Sequence, residues 1–99
     1  MNQPIITKQI PVGVSHVTGI CVQLLEKKLI VIKGARGYIM CGYLNMSVAN
    51  RFREVAIKVS GVSCIEDVLA TTVVSCSHAA RALGINKGMP ISKVLPSIA

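Results

Sequence analysis

The residues best suited to chemistry gather around Cys41, which closes an apolar run, precedes Gly42 and stands a few residues before a helical pattern opening near Asn45. A thiol at a helix N-terminus feels the positive end of the dipole and deprotonates more readily. That would make Cys41 a nucleophile or a redox centre, and His78 is the weaker candidate for its base. The competing reading makes Cys41 a small buried hydrophobe beside a glycine that the chain geometry needs, because reactivity requires exposure. Just upstream, Arg36, Gly37 and Tyr38 form with Gly42 a candidate ligand-binding set. Arg36 and the backbone amides uncovered by the glycines would receive a small anionic ligand. His78 and Arg81, three apart, are placed to share one helix face and to hold an anion or simply to be solvated.

Other chemistries find little support. Glu26, Glu54, Glu66 and Asp67 are the only acids: Glu26 falls in a turn, Glu66 in a helix cap and Glu54 beside Arg53, so a paired-carboxylate mechanism has no partners. No nucleophile elbow is present, and Gly34-Ala35-Arg36-Gly37 lacks the spacing and ending of a phosphate loop. The four cysteines include no Cys-x-x-Cys pair, and Cys76-x-His78 is the only close ligand pair, so no metal site is expected. The sequence names no cofactor. Arg36 to Tyr43 opens like the RNA-recognition consensus, with Tyr38 and Tyr43 at aromatic positions, but Ile39 and Met40 break it in the middle. With Phe52 the only other aromatic side chain, a base-stacking platform is hard to build, and nucleic acid is not expected as a partner.

These residues need elements to hold them. Ile5–Ile10 and Val14–Leu25 are rich in β-branched residues and are interrupted by Pro11 and Gly13, predicting two strands joined by a turn or bulge. Glu26-Lys27-Lys28 turns into Leu29–Ile32, an unbroken apolar run that predicts a central strand covered on both faces. Lys33–Gly37 is a second turn and Tyr38–Cys41 a short strand. From Asn45, the spacing of Val48, Phe52 and Val55 predicts an amphipathic helix with those residues inward, then a return to the sheet over Val55–Val59. Ser63-Cys64-Ile65-Glu66 reads as a capping box opening a helix with Ile65, Val68 and Leu69 inward. Cys76, Ala79, Ala80 and Leu83 predict another helix ended by Gly84, and Pro90 opens a last one that Pro96 stops.

Ninety-nine residues leave room for one core, so the chain reads as a single domain over 1–99. Its 52% hydrophobic and 15% charged composition excludes a disordered chain. The longest uncharged stretch, Gln9–Leu25, carries Pro11, Gly13, His16 and Gln23, which a membrane span would not. Met1–Pro4 lacks the basic and apolar regions of a signal peptide, which points to the cytoplasm and to four free thiols. The net charge of +7 comes from dispersed lysines and arginines, a diffuse field rather than a polybasic arm.

Gly37-Tyr38-Ile39-Met40-Cys41-Gly42 resembles the corresponding segment of the YunC-like family, small bacterial and archaeal domains of unknown function. The likeness continues through Ser60-Gly61-Val62, the helix from Ser63, and Ala79–Met89, and it covers about Ile5–Leu95. It implies a two-layer α/β sandwich and brings no catalytic residue, substrate or activity. At Pro96 the sequence departs from the family pattern.

The combined expectation is an α+β, two-layer sandwich with a strand-rich N-terminal half and helices packed on one face of a mixed sheet. Short helices can cover one face of so apolar a sheet, so a homo-oligomer, dimer or trimer, is expected to cover the other. The function read from sequence is a binding or assembly module with a glycine-flanked Cys site for a small anion. The alternatives are a cysteine-dependent enzyme or thiol redox protein using Cys41, and, behind it, an RNA-binding domain.

Overall fold

The computed structural model describes residues 5–99; Met1–Pro4, read above as unlike a signal peptide, lie outside the described residues. A six-stranded sheet runs in simple sequence order through β1 (Ile5–Val12), β2 (Ser15–Gln23), β3 (Lys28–Lys33), β4 (Tyr38–Met40), β5 (Ala56–Lys58) and β6 (Ser75–Cys76). All neighbours are antiparallel except β4 and β5, which run parallel. A parallel pair needs a crossover, and α1 (Met46–Arg51) supplies it. The remaining helices are α2 (Ile65–Ala70), α3 (His78–Ala82) and α4 (Ile91–Ile98). The expected α+β class and mixed sheet are both present.

Strand β1 runs through Pro11 to Val12 instead of breaking there. As an edge strand it can leave the missing proline N–H on its unpaired side, and Gly13, at φ +61, makes the turn alone. Alternation then sorts the sheet. Val17, Cys21, Ile30, Ile32, Ile39, Ile57 and Val59 all point to one side, where they meet Ile65 and Val68 of α2 and Ile91, Val94 and Ile98 of α4. The helices do not all share that face as expected: on the other side α1, with Leu44 from the loop before it, covers the β4–β5 end, Leu44, Met46 and Ala49 packing against Tyr38, Met40 and Ala56. Ile20 and Val22 of β2 and Leu29 and Val31 of β3 are therefore only half-buried. The central strand, expected to be covered on both faces, is sealed on the Ile30–Ile32 face and half-open on the Leu29–Val31 face, because α1 reaches only the β4–β5 end.

Several local expectations change register. Helix α1 starts at the Asn45 cap, whose side chain accepts the Val48 N–H, but Ala49 is its buried residue. Val48 and Phe52 face out, Phe52 at 66% exposure. The helix ends at Arg51, so Val55 belongs to the approach to β5 and the supposed stripe has no third member. Helix α2 is capped one residue later than expected: Cys64 is the N-cap, without a side-chain bond, and Asp67 reaches back to accept the Ser63 N–H at 2.9 Å. Glu66 instead pairs with Lys8 across the surface at 3.0 Å. Cys76 lies in β6, not in the following helix, and Ser77 caps α3.

Pro96 does not stop the last helix, which continues to a fully buried Ile98. The reason lies in the β3–β4 turn. Arg36 donates from Nε to the Ala99 carbonyl at 3.1 Å and from Nη2 to the Pro96 carbonyl at 2.8 Å. Its backbone N–H donates to Ile98 at 2.9 Å. A cation on the orphan carbonyls at a helix C-terminus is favourable both as a donor and against the dipole. Gly34 allows this close approach, since a side chain there would collide with the Ile98 carbonyl.

Candidate functional site

Cys41 extends the β3–β4 ladder by one step. Its N–H donates to the Ile30 carbonyl at 3.2 Å, while its own carbonyl turns away to accept the Leu44 N–H and close the loop. The Ile30 N–H would then lack an acceptor, and the Cys41 sulfur takes that place at 3.4 Å. The thiol in turn points at the Lys28 carbonyl, 3.8 Å away. Cys41 is 6% exposed. The side chain thus satisfies a buried backbone donor, which is a structural task.

Strand β4 separates the candidates that sequence places together. Arg36, Gly37 and Tyr38 stand at its start, Cys41 and Gly42 at its end, roughly 10 Å along the strand. Arg36 is committed to the end of α4. Gly37 is needed for packing, because a Cβ there would lie 2.8 Å from both Val55 Cγ1 and the Val55 carbonyl oxygen. Tyr38 packs under α1 and donates its hydroxyl to Glu54 at 2.8 Å. Partial burial, that hydrogen bond and the Glu54 charge push its phenol up to about 12. Tyr43 belongs to the Cys41 end, so the two tyrosines form no common stacking surface.

His78 is also remote from Cys41. Antiparallel pairing sets Ile57 opposite Cys76, which puts His78 two strands away and about four residues back, roughly 16 Å from Cys41. The His78 N–H donates to Asn50 Oδ1 at 2.9 Å. The pairing of His78 with Cys41 is therefore not formed among the described residues. Among the described residues no three His, Cys, Asp or Glu side chains come together as a metal set.

A cleft of about 580 Å3 does open at the Cys41 end, lined by Glu26, Lys27 and Lys28 from the β2–β3 turn, by Cys41, Gly42 and Tyr43, and by Val62 and Ser63. It lies beyond the carboxyl ends of the parallel pair, between the loops that follow β4 and β5, where open sheets with parallel strands commonly bind ligands. Gly42 differs from the other loop glycines. It has no positive φ, and a Cβ added there would meet nothing within 4 Å. Neither backbone geometry nor packing requires the glycine. The Gly42 and Tyr43 N–H groups have no protein acceptor among the described residues. The sequence singles out Cys41 and Gly42 but misses Lys27, Lys28 and Ser63, whose only signal is membership of turns that the topology brings to one end.

Residues 40–98 match a family described as a domain of unknown function, DUF1805. The chain belongs to the DUF1805 family. The matched span includes Cys41, Gly42, Tyr43, Val62 and Ser63 of the cleft and leaves out Glu26, Lys27 and Lys28. The uncharacterized protein YunC of Bacillus subtilis (strain 168) is 34% identical over 76 residues, spanning 73% of this chain and 75% of YunC. The crystal structure of TA1206 from Thermoplasma acidophilum, a protein of unknown function, aligns with a TM-score of 0.92 at 34% identity. That alignment covers 96% of this chain and 93% of the other. None of these names carries an activity, a substrate or a cofactor; what this DUF1805 chain shares with TA1206 is its overall fold.

Proposed function

We propose that this DUF1805 chain is a binding module that takes a small anion in the cleft at the ends of β4 and β5. The observation that carries the reading is Gly42, a glycine that the fold does not need, at the mouth of a site with two open backbone amides and two lysines. Absence of a side chain lets an anion approach the amides closely, and Lys27 and Lys28 supply the opposite charge. Calorimetric titration with inorganic phosphate tests it: Gly42→Ala weakens binding at least tenfold with the melting temperature unchanged. Equal binding by Gly42→Ala overturns the assignment of the site.

Assembly is the second part of the reading. Ile20, Val22, Leu29 and Val31 form a contiguous half-open apolar surface, for Ile20 pairs with Val31 and Val22 with Leu29, and Ile5 extends it at 55% exposure. A second or third copy of the chain is the occupant we infer, in a closed dimer or trimer. Native mass spectrometry with sedimentation gives the subunit number. Val31→Lys is expected to release monomers with the circular dichroism intact, and a wild-type monomer would refute it. The free thiols support a reducing, cytoplasmic setting, and no helix of the described residues is long and apolar enough to cross a membrane.

A further inference from the structure

The β2–β3 turn carries two leucines that the fold does not explain. The Leu24 N–H donates to the Lys27 carbonyl at 2.8 Å, and Gln23 Nε2 donates to the Leu24 carbonyl at 3.3 Å, so the turn is pinned. No residue within it has positive φ, so its geometry accepts any side chain and does not select leucine. Yet Leu25 is 99% exposed and Leu24 40%, and Tyr43 across from them is 51% exposed. Together with Glu26 and Lys27 these residues line a groove of about 400 Å3. Glu26, Lys27 and Tyr43 are shared between this groove and the cleft, so the two are continuous.

From this continuity we infer one bipartite site for an organic anion with an aromatic body. The charged head sits by Lys28 and the Gly42 amide, and the ring lies in the groove between Leu25 and Tyr43. The chemistry follows from the walls. A polar half carrying lysines and open amides favours an anion, and an apolar half bounded by an aliphatic side chain and a phenol ring favours a flat hydrocarbon surface. A second copy of the chain is the rival occupant of the groove. Lys27 and Lys28 against the single Glu26 leave the combined walls net positive, which favours an anion over a second copy of a chain that itself carries +7.

This inference rests on the anion reading of the cleft, and the experiment separates the two. Phenyl phosphate and inorganic phosphate are titrated against wild type, Leu25→Ser and Gly42→Ala, with subunit number measured for each. Leu25 is exposed, so its replacement leaves the core untouched. Wild type is expected to bind phenyl phosphate about tenfold more tightly than phosphate, the effect of burying roughly half a phenyl ring. Leu25→Ser removes that advantage and leaves phosphate binding unchanged, whereas Gly42→Ala weakens both ligands. Equal affinity of wild type for the two probes overturns the bipartite site and leaves the anion cleft standing. Binding of neither probe overturns both, and a change of subunit number in Leu25→Ser assigns the groove to a subunit contact and overturns the inference.

Discussion

Replacing Cys41 by alanine separates a structural thiol from a chemical one. Among the described residues the sulfur is the acceptor of the Ile30 N–H, 3.4 Å away, and Ile30 is fully buried. An orphaned buried amide costs about 1–3 kcal/mol. Losing the buried sulfur itself adds about 1 kcal/mol, from roughly 40 Å2 of apolar surface. Sulfur is a weak acceptor, which moves the total to the lower half of that range, about 2–3 kcal/mol. For a domain of this size each kcal/mol shifts the melting temperature by about 4–8 °C, so Cys41→Ala should melt about 8–24 °C below wild type. Cys41→Ser keeps an acceptor near the amide and should lose less than half as much. Thermal denaturation followed by circular dichroism gives both numbers, and amide hydrogen exchange locates the damage at Ile30. If Cys41→Ala melts within about 3 °C of wild type with the Ile30 amide still protected, the sulfur does not perform the task assigned to it.

Further outcomes follow from the same geometry. Gly37→Ala, which must displace Val55, is expected to lose about 1–3 kcal/mol in urea unfolding, while Gly42→Ala loses none or gains a few tenths. Ser77 is fully buried; its hydroxyl donates to the Glu54 carbonyl at 2.6 Å and accepts from the Ala56 and Ala80 amides. Ser77→Ala therefore removes a helix cap and orphans two backbone groups, for an expected cost of about 2–4 kcal/mol by the same measurement. Tyr38 should ionise at about 12, read by phenolate absorbance in a Tyr43→Phe variant. Because its folded pKa lies above the unfolded value near 10, its contribution to stability is whole below pH 10 and is lost as pH rises toward 12. Glu54→Gln should lower that pKa, and an unchanged titration would refute the pairing.

Much of the scaffold is legible in the sequence, because it rests on local rules. The β-branched runs, the Gly13 turn, the start of a helix near Asn45 and the Gly84 stop each need only neighbours in the chain to be read. What escapes is set by distant partners. Pro96 is carried inside α4 because Arg36, sixty residues earlier, holds the carbonyls around it. The buried face of α1 is chosen by Tyr38, Met40 and Ala56 rather than by its own apolar spacing. Cys76 and Ala80 are both buried, as a helical stripe requires, yet one comes from β6 and the other from α3. The candidate site divides for a related reason. Residues close in sequence lie at opposite ends of a strand when the strand runs between them, so Arg36 and Cys41 part company. Lys27 and Lys28 reach Cys41 only through the topology of β2, β3 and β4.

The central claim is that a small anion is held by the open amides at the end of β4. Amide proton and nitrogen shifts in the 15N-labelled protein, followed during a phosphate titration, test it most directly. The account predicts saturable shifts at Gly42 and Tyr43, smaller ones at Lys27 and Lys28, and quiet resonances at Arg36 and Gly37. Shifts centred on the Arg36–Tyr38 turn, or none that saturate, would contradict it.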